Sequence, residues 1–284
     1  MISRRAFVGG CCSATLLSYS PRVARAQGGV FICSTPDSVS SSRDFELSQF
    51  GTQSGPSKFE LDTLKQQFDF SDYGTSFLRD RWLDSDGQTP NSGMITLGVS
   101  FLNGSPAQQE IFRTAADAWF VGPLKTRLAF RYLPSKERGK SQIRVEFDAP
   151  VNESYIGRNC LRVPDPAPTM RISDLMPHVI QHECGHALGL QHEHQNPNVP
   201  FQWIREAVIA DMAQRGWSEQ KTVQNILDRY TKNAACIGDP GFNEKSIMLY
   251  PIPSRWTNRF SSEENIVLSD RDRKCLQGLY SSTK

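Results

Sequence analysis

"HECGHALGLQHEH", residues 182–194, holds four of the five histidines in the chain, and the fifth, His178, stands four residues upstream. A sequence of 284 residues has gathered every imidazole it owns into one short window. His182 and His186, at i and i+4, fall on one face of a helix one turn apart, so their ring nitrogens can converge on a single point. Gly189 stands where that helix must end, because glycine takes the left-handed conformation without steric cost. A chain turned back there delivers His192 to the same point. Three neutral imidazoles leave a fourth zinc position open, which is the catalytic arrangement rather than the structural one. Glu183, beside the first ligand, is placed to take the proton of a water in that position. The expected centre is therefore one zinc ion on His182, His186 and His192, with Glu183 as general base.

Working outward, the histidine helix is expected to begin near Ser173 or Asp174, to tolerate Pro177 in its first turn and to run through Leu188. Upstream, "MITLGVSFL" (94–102) reads as a strand, "PAQQEIFRTAADAWF" (106–120) as a helix, and "RLAFRYLP" and "SQIRVEFD" as two more strands. That succession gives a compact unit of sheet and helices from about residue 94. Downstream, "QNPNVPFQWIREAVIADMAQRGWSEQKTVQNILDRY" reads as largely helical, with Ser218 as an N-cap.

Composition sets the frame. With 38% hydrophobic and 22% charged residues the chain can bury a core. The formal charge of +2 is carried by residues 1–26, which hold Arg4, Arg5, Arg22, Arg25 and no acid; removing them leaves 28 basic and 30 acidic side chains. Such a balance offers no footprint for nucleic acid. "SRRAFVGG" near the start, followed by an apolar stretch and "ARA" at 24–26, resembles a twin-arginine export signal cut before Gln27. Its apolar part is too short to span a bilayer, so no stable membrane anchor is expected. The expected location is periplasmic or extracellular.

Five cysteines follow the signal: Cys33, Cys160, Cys184, Cys236 and Cys275. An odd number in an oxidising compartment leaves at least one thiol unpaired. Cys184, mid-helix between two ligand positions and directed at the core, is the expected free one, and Cys236 with Cys275 is the preferred pair. Residues 27–92 read as a flexible extension or propeptide, rich in Ser, Gly and Pro at first. A short amphipathic segment, "FELDTLKQQFDF" (59–70), follows within it.

"HECGHALGLQH" matches the metzincin signature His-Glu-x-x-His-x-x-Gly-x-x-His, and "SIMLY" (246–250) resembles the methionine turn of those zinc peptidases. Among them the chain is most similar to the astacins, whose signature continues with Glu, as Glu193 does here. "SYIG" (154–157), "HEH" (192–194) and "LSDRDRKCLQGLY" (268–280) extend the likeness, which covers roughly residues 94–284. The resemblance implies an α+β fold. It would be a metzincin-like catalytic domain over 93–284, with a twisted, mostly parallel sheet, an active-site helix and a smaller C-terminal subdomain of helices and the Met-turn. The cleft would lie between 93–192 and 193–284, and the edge strand that pairs with substrate near Ser154 to Gly157. Met248 would form an apolar floor under the metal, and Tyr250 would assist at the oxyanion. Leu249 stands where astacins carry His.

The function implied is an exported zinc endopeptidase acting on protein or peptide substrates. A silent zinc-bearing module that binds peptide or glycan, and a zinc amidase acting on cell-wall peptide, are the alternatives. His178 is expected beside the site rather than on the metal, and His194 to brace the loop. The role of Glu193 and the oligomeric state stay unassigned. "CSTPD" (33–37) in the extension resembles the Cys-x-x-Pro-Asp core by which matrixin propeptides place a thiolate on the zinc. A thiolate is a good zinc ligand and would occupy the position that water needs. A disulfide cysteine in a loose arm, or an aspartate from the extension as in astacin zymogens, are the other readings of this segment.

Overall fold

The computed structural model describes residue 33, residues 80–230 and residues 241–280 of the chain. The expected signal, the amphipathic segment 59–70 and Cys236 lie outside the described residues. Cys33 belongs to the same compact unit, Phe31–Lys284, as everything described below.

Strand β1 (Ile95–Phe101) is buried along nearly its whole length, which is why "ITLGVSF" lacks the in-and-out alternation of a half-exposed strand. β2 (Leu128–Tyr132) and β3 (Ile143–Phe147) flank it in parallel, with Ile95 opposite Leu128 and Val99 opposite Ile143. β5 (Met170–Ile172) adds to β3 in parallel, and β4 (Glu153–Ser154) closes the edge antiparallel to β5. The strand order is β2-β1-β3-β5-β4, the expected mostly parallel sheet, with an antiparallel edge that meets the anticipated stretch only at Ser154. Helix α1 (Pro106–Asp117) begins in a capping box: Ser105 Oγ accepts from Gln108 N and Gln108 Oε1 accepts from Ser105 N. It stops at Asp117, short of the expected Phe120, and Trp119 turns inward to donate through Nε1 to the Gln181 carbonyl at 3.0 Å.

Helix α2 (Pro177–Ala187) carries the histidines and starts later than Ser173 or Asp174. Asn152 Oδ1 accepts from both Ser173 N and Asp174 N, and Asp174 Oδ1 accepts from Met176 N, so those amides are held in a loop. Pro177, whose missing N–H costs nothing at the first position, opens the helix instead. Leu97, Val99, Val145 and Ile172 of the sheet bury against Phe112 and Ala116 of α1, Ile180 and Cys184 of α2, and Leu188 just past its end.

The second half adds α3 (Arg205–Ala213) and α4 (Glu219–Thr222), which runs on as a π turn through Val223–Leu227. Ser218 caps α4 as expected, its Oγ accepting from Lys221 N at 3.1 Å. These elements bury Val208, Met212 and Ile226 with Tyr250, Ile252 and Trp256 in a core of their own. α5 (Asp270–Tyr280) departs from that grouping, because Leu276, Leu279 and Tyr280 return to the first core.

Residues 80–87 pack into the first core too. Trp82 is fully buried, and its Nε1 donates to the Ala187 carbonyl at 2.8 Å, at the end of the zinc helix. The Tyr280 hydroxyl donates to Leu188 O at 2.8 Å and accepts from Trp82 N at 3.3 Å, tying three parts of the sequence together. Gly157, at φ +48°, lies so close that a Cβ there would sit 1.8 Å from the Asp80 carbonyl oxygen. Trp82→Ala should therefore cost about 3–5 kcal/mol, the range for emptying a buried aromatic site. The check is a urea melt, and an unchanged midpoint would contradict this packing.

Candidate metal centre

The end of α2 builds the site. Gly189 takes φ +101°, its N–H donates to His186 O, and Leu190 N–H donates to Gly185 O, the paired bonds of a Schellman turn. The reversal places the Leu190 carbonyl 2.9 Å from His186 Nδ1, while Ile247, from a distant segment, puts its carbonyl 2.7 Å from His182 Nδ1. A carbonyl can only accept, so each Nδ1 carries the proton and each Nε2 presents a bare lone pair.

Those lone pairs meet. His186 Nε2 lies 3.0 Å from His192 Nε2, and Cys33 Sγ lies 3.1 Å from His182 Nε2, 3.1 Å from His192 Nε2 and 3.6 Å from His186 Nε2. The four donor atoms all fall within 4.8 Å of one another, and all four residues are buried. Burial holds the imidazoles neutral, pushing His182 down to about 4 and His186 and His192 well below the ordinary imidazole range. Buried neutral nitrogens facing one another repel unless a cation lies between them, and three imidazoles with one sulfur form a donor set that zinc takes tetrahedrally. Burial raises the Cys33 thiol well above its ordinary range, with the Glu183 carboxylate adding to the effect. A metal bound to Sγ would deprotonate it outright.

Glu183 is fully buried, and neither of its carboxylate oxygens has a hydrogen-bond partner among the described residues. Burial lifts its pKa well above the usual carboxylate range. A buried carboxyl without a partner is costly, so this one is kept for something other than stability. The Tyr250 hydroxyl lies 3.6 Å from Cys33 Sγ and donates to the Cys33 carbonyl in a short bond. Met248 packs beneath the helix at Gly185, where a Cβ would come within 2.5 Å of Met248 Sδ. Glycine at 185 leaves the room by which Met248 reaches the underside of α2 in this chain.

No family model and no curated protein matches the sequence. Solved structures do. A structure of myroilysin superposes with a TM-score of 0.60 at 25% identity, covering 72% of this chain and 98% of that one. A second myroilysin crystal structure gives 0.49 at 25%, over 72% and 86% of the two chains. High choriolytic enzyme 1, a hatching enzyme zinc-protease of the medaka fish Oryzias latipes, gives 0.49 at 17%, over 71% and 98%. The first of these likenesses joins the signature, the Met-turn and the sheet order already described. In fold and signature the chain is similar to the astacin-like metzincin metallopeptidases.

The remaining residues of the astacin-like site fall around this centre. Leu249, in place of the family's His, is buried in the second core, and Met248 and Tyr250 keep their positions beside it. Glu193 donates through its N–H to Met248 O at 2.9 Å, and its Oε1 accepts from Asn243 N at 2.7 Å and Asn196 Nδ2 at 3.0 Å. It rivets the turn after His192 to the Met-turn segment, and burial pushes its pKa up to about 7. His194 braces the loop as expected: it is fully buried, with Nε2 2.9 Å from Asn225 O and its ring 4.2 Å from that of Tyr250. His178 stays off the metal and pairs with Glu264 at 3.1 Å.

Cys184 is a buried free thiol, as anticipated, and so are Cys160 and Cys33. Cys275 forms a disulfide whose partner lies outside the described residues. Two contributors went unread in the sequence. The Ile247 and Leu190 carbonyls that set the tautomers are backbone and leave no residue signal. Asp272 did leave one: "SDRD" (269–272) is a Ser-x-x-Asp cap, and Asp272 N–H donates to Ser269 Oγ at 3.1 Å.

Proposed function

We propose that the chain is an exported zinc endopeptidase held latent by its own N-terminal extension, with Cys33 as the group that blocks the metal. The observation that carries this reading is the meeting of Cys33 Sγ with three histidine nitrogens beside a carboxylate that has no other partner. His182, His186 and His192 would hold one zinc ion, which when bound lowers the pKa of a water and polarises a peptide carbonyl. Glu183 then takes the water's proton and delivers it to the leaving amine. The Tyr250 hydroxyl donates to the developing oxyanion. An extended protein or peptide substrate pairs with the edge strand β4, which presents its free side beyond β5.

In the blocked form two parts of this machinery are engaged at once. The Cys33 thiol fills the fourth position, and the Cys33 carbonyl occupies the Tyr250 hydroxyl. The twin-arginine pattern and "ARA" support export in a folded state, with zinc already loaded and a mature start near Gln27. Among the described residues no helix is long and apolar enough to cross a membrane.

The test is cleavage of a protein substrate in a zymogram, with and without a zinc chelator, by three forms of the chain. A form starting at Gln27 should be weakly active. One starting at Asp80 should be fully active and lose activity to the chelator. One starting at Gly93 should fail to fold, because it lacks Trp82 and the Asp80 segment under Gly157. Cleavage that survives the chelator would reject the zinc dependence, and an Asp80 form that binds zinc and cleaves nothing would reject the peptidase reading in favour of an amidase or a silent binding module.

A further inference from the structure

The turn that carries Met248 is gripped by a carboxylate on another element, besides its bond to Glu193. Asp272, in the first turn of α5, is 4% exposed and collects its hydrogen bonds almost entirely from that turn and its own cap. Its Oδ1 accepts from Ser246 Oγ at 2.5 Å and from Asn243 Nδ2 at 3.4 Å. Its Oδ2 accepts from Ile247 N at 2.9 Å, Ser269 Oγ at 2.8 Å and Ser269 N at 3.2 Å. Ser246 Oγ in turn accepts from Met248 N at 3.0 Å. Three consecutive residues, 246 to 248, are thus fixed through one side chain.

The middle residue of the three is the one that touches a ligand. The Ile247 N–H donates to Asp272, and the Ile247 carbonyl accepts from His182 Nδ1 at 2.7 Å. A ring nitrogen opposite a metal is oriented by what its other nitrogen bonds to, and the loss of such an outer partner commonly costs about tenfold to a hundredfold in metal affinity. We infer that Asp272 is a positioning residue for the metal centre: through Ile247 it sets the tautomer and ring angle of His182. The relay runs Asp272 to Ile247 to His182, so the C-terminal helix acts on the zinc helix with no direct contact between carboxylate and metal.

A purely structural Asp272 would look different in one respect. It would stabilise the fold without altering the affinity of the folded centre. The inference rests on the three-histidine reading of the zinc site, and the measurement separates the two. Zinc affinity of the full chain, wild type and Asp272→Asn, is taken by competition with a chromophoric chelator. The visible bands of the cobalt-substituted protein and the melting temperature of the metal-free protein accompany it.

Asp272→Asn keeps the shape of the side chain but loses the charge and one acceptor. It should bind zinc about tenfold to a hundredfold more weakly, with displaced cobalt bands. Ser246→Ala, which removes only one strand of the suspension, should give a smaller loss in the same direction. Leu97→Ala, in the core of β1, should lower the melting temperature and leave zinc affinity unchanged. Zinc affinity and cobalt bands equal to wild type in a folded Asp272→Asn would overturn the inference. Should that variant fail to fold, wild-type affinity in Ser246→Ala does so instead. Failure of the wild type itself to bind zinc would remove the reading of the site on which the inference stands.

Discussion

Glu183→Gln should leave zinc bound and remove turnover. The three histidines and the carbonyls behind them are untouched by the change, so metal content should match that of the parent. What disappears is the carboxylate that the proposal gives the task of accepting a proton from water and returning it to the amine. General acid–base transfer is worth roughly 10²–10⁴ in rate, and one carboxylate serving both transfers places the expected loss at the upper end. Glutamine matches the shape and cannot accept the proton. The measurement is kcat/KM on a quenched-fluorescence peptide, made in the form starting at Asp80, with zinc content determined on the same sample. Activity above a few per cent of the parent, at equal zinc, would mean that another group is the base.

Cys33→Ser should awaken the chain that starts at Gln27. A serine hydroxyl is a far poorer zinc ligand than a thiolate, and each 1.4 kcal/mol of binding lost is a tenfold gain in the open fraction. The expected rise in activity is on the order of tenfold or more. It should still fall short of the form starting at Asp80, because the Tyr250 hydroxyl bonds to the backbone carbonyl of residue 33, which serine keeps. The same peptide assay on the three forms reads this directly. Equal, low activity in the Cys33→Ser and parent forms, with full activity on truncation, would discard the thiol and keep the extension as inhibitor. Equal activity in all three would discard both.

Much of the centre could be read in sequence because its information is local. His182, His186 and Gly189 follow from helical spacing and a terminator, and the turn built there delivers His192. Ser218 and its helix were legible for the same reason. The start of α2 was not, because Asn152, some twenty residues away, holds the amides of Ser173 and Asp174 outside the helix. Trp82 gave no periodic signal, and only the meeting of Ala187, Leu188 and Tyr280 explains its burial. "CSTPD" marked Cys33 as a possible ligand, yet a loose disulfide arm fitted the same letters; distance alone brings the thiol to the histidines. The Ser-x-x-Asp cap at 269–272 announced a helix start and nothing of the grip on Ile247.

The dependence of the centre on α5 also sets an order of events during synthesis. The segment that carries Ile247 and Met248 gains its bonds to the C-terminal helix when Asp272 arrives, and Leu188 at the end of α2 gains its hydroxyl partner with Tyr280. A nascent chain whose residues 270–280 are still inside the ribosome holds all three histidines outside it, yet without the framework that aims them. Competent metal capture therefore waits for the whole domain to emerge. By then residue 33 has long been available to close over the site, so on the proposed reading the thiol guard would be in place before there is an enzyme to restrain.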